Sequence, residues 1–71
     1  MEQKDIDNWF TYHAPTTEQK KSYSMLREGA WQFAHVLNEN VPDSADKTAA
    51  MRKLRECVMT ANAAIACKVL Q

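Results

Sequence analysis

Two prolines, Pro15 and Pro42, and a single glycine, Gly29, constrain the fold of this 71-residue chain more than any other feature. A proline has no amide hydrogen to donate, so it interrupts helix and sheet interiors alike. The pair divides the chain into three segments, and Val, Ile and Thr are too scattered in them for the period-two alternation of a strand. The expected fold is all-α and occupies residues 1–71 as a single helical-hairpin domain. A short N-terminal helix is followed by two long helices packed antiparallel, because a short connection leaves no other geometry.

The first segment predicts a helix over roughly Lys4 to His13. Ile6, Trp9, Phe10 and His13 recur at helical spacing, and Asp5 and Asp7 complement the positive end of a helix dipole. The second begins Pro15-Thr16-Thr17-Glu18-Gln19, where Thr16 and Gln19 have the spacing of a capping box. It should run to about Asn38 or Glu39, with Tyr23, Leu26, Ala30, Phe33, Ala34 and Leu37 as its buried stripe. Met25 and Val36 fall off that stripe. Gly29 in mid-helix costs about 1 kcal/mol relative to alanine. After the turn Asn38–Asp43, Asp43 or Ser44 should cap a third helix ending near Val69. Its apolar stripe is Met51, Leu54, Val58, Ala61, Ile65 and Lys68. An adjoining strip of small residues, Ala50, Cys57, Ala61 and Ala64, makes its apolar surface wider than one partner helix needs, and marks it for subunit contact.

A chain this short buries only about 60% of its unfolded surface. Domains of this size usually gain stability from a metal, disulfides or partner subunits. Cys57 and Cys67 form no CxxC pair, and His13 and His35 stand near neither, so no metal site is expected. Free cysteines on an apolar helical segment act as small hydrophobes. No apolar run approaches the ~18 residues of a membrane span, and no signal peptide is evident, so a reduced cytoplasm is the expected compartment. Oligomerisation is the remaining stabiliser. The nine basic and nine acidic residues cancel to a formal net charge of zero, which argues against duplex DNA as a partner. A small anion held by one or two cations is compatible with neutrality.

No nucleophile, base and orienter are evident together, so an enzyme is not expected, and no cofactor is implied. The unusual stretch is Trp9-Phe10-Thr11-Tyr12-His13-Ala14-Pro15, four ring side chains within five residues. Trp9 and Phe10 read as a hydrophobic lid on the hairpin. Tyr12 is offset from the Ile6–Trp9–His13 face, and an exposed ring beside a cation suits base stacking. Arg27 follows Leu26 and should emerge at the edge of the buried stripe. It is either a solvated or ion-paired arginine, or a fork for phosphate. Arg52, Lys53 and Arg55 read as a solvated face. Lys68 complements the dipole at a helix end. Asn62 is either exposed or a buried polar device that fixes register.

The run Phe10-Thr11-Tyr12-His13-Ala14-Pro15-Thr16 with Glu18-Gln19, and the run from Met51 to Ala66 that contains Ala61-Asn62-Ala63-Ala64-Ile65-Ala66, resemble two motifs of the phage anti-CBASS and anti-Thoeris hairpin proteins. The similarity extends from Asp5 to Lys68. It implies a cyclic-nucleotide sponge in the host bacterial cytoplasm, which sequesters the alarm molecule of host immunity without cleaving it. It also implies a homo-oligomer, a hexamer in members of the family. The implied ligands are cyclic dinucleotides such as 3′,3′-cyclic GMP-AMP and, in a second pocket of some relatives, cyclic trinucleotides. The resemblance assigns base stacking to Tyr12 and phosphate to Arg27, where lysine is frequent, with His13 and Pro15 as neighbours in the pocket. For the second pocket it predicts Arg directly after Ala66. This chain has Cys67 and then Lys68, which departs from the pattern and leaves Lys68 as the candidate cation. A 3′,3′-linked dinucleotide is nearly two-fold symmetric, and an isologous dimer would present Tyr12 and Arg27 twice about one axis. The other reading of the residues is a helical oligomerisation or adaptor module that binds only protein partners.

Overall fold

The computed structural model describes residues 1–68 and contains three helices, α1 (Gln3–Trp9), α2 (Thr17–Asn40) and α3 (Ala45–Ala66). No strand occurs among the described residues. At about 1.5 Å per residue the two long helices measure roughly 36 and 33 Å. None of the helices is long and apolar enough to cross a membrane.

Local chemistry sets the helix starts. The Thr16 hydroxyl accepts from the Gln19 amide at 3.1 Å, and the Gln19 side chain accepts from the Thr16 amide at 2.9 Å, completing the expected box. Of the two candidate caps for α3, Ser44 is the one used, accepting from the Lys47 amide at 3.1 Å. Asp43 instead receives the Lys47 ammonium at 3.0 Å, while the same ammonium donates to the Asn38 carbonyl at 2.9 Å. The turn is thus clamped from α3 back to the end of α2. Ser44→Ala is expected to cost about 1 kcal/mol, the usual value for a lost N-cap. In thermal denaturation that corresponds to a fall of roughly 4–8 °C in Tm for a domain of this size.

Two side-chain bonds at opposite ends of the hairpin establish its direction and register. Gln19 Nε2 donates to the Ile65 carbonyl at 3.1 Å near one end, and Lys47 reaches Asn38 near the other. The helices are therefore antiparallel, with Leu26 roughly opposite Val58 and Ala30 roughly opposite Leu54. Tyr23, Leu26, Ala30, Ala34 and Leu37 are half-buried on α2, as are Met51, Leu54, Val58, Ala61 and Ile65 on α3.

Several expectations need correction. α1 stops at Trp9, not His13, with a last helical bond from the Phe10 amide to the Ile6 carbonyl. The Asn8 carbonyl is engaged by the His13 ring, Nε2 to O 2.7 Å, and the approach to Pro15 disfavours helical backbone at Ala14. Phe33 is exposed because Ala34, one residue and 100° further round, takes the inward position. The small-residue strip of α3 is split: Ala50 and Ala61 are half-buried, while Cys57 and Ala64 face solvent. Lys68 is exposed beyond the end of α3, and the expected helix end at Val69 lies outside the described residues.

The hairpin hides little. Cys67, 8% exposed, is the one buried apolar side chain among the described residues. The accessible surface is 5924 Å². A compact protein of this mass would expose about 4,500 Å². The radius of gyration is 15.2 Å, against about 11 Å for a compact chain of this length.

Candidate functional site

The segment between α1 and α2 carries Phe10, Tyr12 and His13, and follows directly on Trp9 at the end of α1. It is tied down at both ends to the last turn of α3. Asn8 Nδ2 donates to the Cys67 carbonyl at 3.3 Å, and Gln19, already part of the α2 cap, donates to Ile65. His13 is half-buried through its bond to Asn8, and Pro15 is half-buried beside it. These two residues shape the loop. Tyr12, between the tied positions, is 83% exposed.

Trp9 and Phe10 do not form the closed lid expected of them. Both are exposed, and they stand as one wall of an open, largely apolar trough of about 540 Å³. Met59, Ala63, Ala64 and Cys67 of the α3 side complete it. The two rings thus line the α3 side of the hairpin and do not close over it.

Arg27 emerges from α2 ten residues past Thr17, roughly 15 Å along the axis. Its guanidinium touches Ser24 Oγ at 3.4 Å and makes no ion pair with a carboxylate among the described residues. Tyr12 lines none of the four recesses described among residues 1–68, and Arg27 lines one of them. Arg27 borders a shallow recess of about 230 Å³ shared with Trp31 and Arg55. Lys68 borders a different one, of about 320 Å³, with Glu18, Gln19 and Ser22. The Glu18 carboxylate on that wall opposes an anionic ligand there.

Two residues carry more than the sequence pattern assigned them. Trp31 is 64% exposed and meets His35 edge-on, with ring centroids 4.3 Å apart. Its spacing of four from Arg27 places both on one face of α2, a signal legible without coordinates. Asn62 is half-buried, and its Oδ1 is buried with no hydrogen-bond partner among the described residues. No group of three or more His, Cys, Asp and Glu residues suited to a metal occurs among the described residues.

Fold and surface together define a small helical-hairpin protein whose chemistry-bearing groups are exposed rings and arginines with no ion pair among the described residues. The chain belongs to the Acb2/Tad1 hairpin-domain family, whose family model matches residues 1–66. This is the anti-CBASS and anti-Thoeris sponge family, and membership implies a phage anti-defence hairpin domain. No curated protein and no solved structure matches the chain.

Proposed function

We propose that the protein binds and sequesters cyclic dinucleotide second messengers without cleaving them, in the cytoplasm of an infected bacterium. Tyr12 stacks on a base and Arg27 holds phosphate, with His13 and Pro15 setting the shape of the loop. The observation that carries this reading is Tyr12 itself: a ring 83% exposed on a segment tied at both ends. A solvent-facing aromatic held in place suits a base, since stacking requires only an accessible π-face.

The site on this reading is assembled between subunits. Two-fold symmetry supplies two Tyr12 rings and two Arg27 guanidinium groups to a ligand that itself carries two bases and two phosphates. The surface supports such an assembly. The chain exposes about 1,400 Å² more than a compact protein of its mass, whereas one standard interface buries about 800 Å² per partner. That excess suits contact with more than one neighbour, as in the hexamer the family suggests. The trough of Trp9, Phe10 and Met59 is an apolar surface available for it. Light scattering at micromolar concentration is expected to give a multiple of the 8.1 kDa chain mass. A monomeric mass would remove the shared-site mechanism.

Calorimetric titration with a panel of cyclic di- and trinucleotides tests the function, followed by chromatography of the ligand released on heating. Saturable binding and intact ligand are expected. Linear nucleotides accumulating with turnover would replace the sponge with a phosphodiesterase. Assembly with no nucleotide bound would leave the adaptor reading. The trinucleotide arm tests Lys68: its departure from the family pattern and the facing Glu18 predict weaker binding there than at the dinucleotide site.

A further inference from the structure

Trp31 lies near the middle of α2, well away from the Tyr12 loop. An exposed indole in such a place calls for an explanation. Its neighbours supply one. Arg27 precedes it by four residues on the same helix face, about 6 Å along the axis. Arg55 approaches from α3, next to Leu54, which the hairpin register sets opposite Ala30. The three side chains border one recess of about 230 Å³, with Ala30, Leu54 and Val58 in its lining. Neither arginine is within ion-pair distance of a carboxylate among the described residues, although Glu28 and Glu56 adjoin them in sequence. The His35 contact at the ring edge orients the indole, and its 64% exposure shows that much of it stays open.

We infer that Arg27, Trp31 and Arg55 of one chain form a nucleotide-binding surface, with a phosphate between the two guanidinium groups and a nucleobase against the indole. The inference rests on the reading of the chain as a cyclic-nucleotide binder and assigns that function two further residues. Guanidinium groups pair bidentately with phosphate oxygens, and an indole is a stacking platform for any base.

The competing occupant is a second copy of the chain, since Trp and Arg are also common in protein interfaces. An isologous contact centred here would gather four guanidinium groups about one axis. Their mutual repulsion in a dry interface disfavours that contact unless an anion lies between them. The charge pattern therefore favours an anionic aromatic ligand.

The test uses the full chain in four variants, Trp31→Ala, Trp31→Phe, Arg55→Ala and Arg55→Lys. Each is titrated with 3′,3′-cyclic GMP-AMP and a cyclic trinucleotide, and its elution volume is compared with wild type. In a Trp9→Phe background, Trp31 is the sole tryptophan and its fluorescence reports the site directly. Trp31→Ala and Arg55→Ala should each weaken binding of at least one ligand by about tenfold. Trp31→Phe and Arg55→Lys should recover most of that loss, the elution volumes should stay unchanged, and ligand should quench Trp31 saturably. If wild type binds and all four variants bind equally well without quenching, this surface is not a site, and the sponge reading survives. If the alanine variants elute as smaller species, the recess is a contact between copies and the inference is overturned. If wild type binds no cyclic nucleotide at all, the sponge reading falls first and takes this inference with it.

Discussion

Tyr12→Ala is expected to abolish most of the affinity for a 3′,3′-linked cyclic dinucleotide. Removing a stacking platform costs about 1–3 kcal/mol per base. A symmetric ligand shared by two subunits loses two platforms at once, so the total reaches roughly 2–6 kcal/mol. Because Tyr12 is 83% exposed and holds nothing else in place, the fold should not notice its removal. Arg27→Ala removes charge-assisted bonds worth about 1.5–3 kcal/mol each, again doubled by symmetry. Arg27→Lys should be milder, since an ammonium still serves one phosphate oxygen. Calorimetric titration of the three variants, with elution volumes alongside, checks the assignment. Wild-type affinity in both alanine variants would move the site elsewhere. Dissociation of both into monomers would make these residues structural.

Leu37→Ala is expected to lower stability by about 2 kcal/mol, the lower end of the range for a leucine truncated in a core. Leu37 is half-buried on the inward stripe of α2, about 15 Å from Arg27 along the helix. It therefore tests packing without touching the proposed ligand. For a chain of this length total stability is only about 4–10 kcal/mol, so the loss is a large share of it. Tm should fall by roughly 8–16 °C in thermal denaturation. Ligand at a hundredfold excess over its Kd adds about 2.7 kcal/mol and should restore the wild-type midpoint. A fall of less than about 2 °C would mean that Leu37 is not part of the packed face.

What could be read from the residues alone was whatever depends on neighbours in sequence. The Thr16–Gln19 box, a cap at Asp43 or Ser44 and the inward spacing of Leu26, Ala30 and Leu37 are properties of one helix each. The exposure of Tyr12 was expected from an offset on a helix running to His13, but α1 ends at Trp9 and Tyr12 stands exposed on the loop instead. What escaped depends on contacts across the chain. α1 ends early because His13 takes the Asn8 carbonyl, a bond that competes with the helix ladder and leaves no mark in a hydrophobic pattern. Phe33 lost its inward place to the smaller Ala34, because close approach of two helices favours the side chain that lets them meet. Trp31 and Arg55 could be joined only once the register between α2 and α3 was known. Arg55 alone looks like one more solvated cation, and Trp31 alone like one more ring.

The bonds from Asn8 to Cys67 and from Gln19 to Ile65 also bear on how tightly a captured molecule is kept. They anchor the backbone on either side of Tyr12, so much of the ordering that capture would demand is completed when the chain folds. Fixing a rotamer-rich side chain on binding costs about 0.5–1.5 kcal/mol, and loop ordering adds to it. If Tyr12 is the stacking ring, its anchored segment would forgo much of that cost. The saving persists for as long as the complex does, because a stiff loop has few alternative shapes through which to let go. On the proposed sponge function, with no chemistry performed on the ligand, potency would depend on long residence. The hydrogen bonds that hold the two ends of this chain together would then set how long an alarm stays silent.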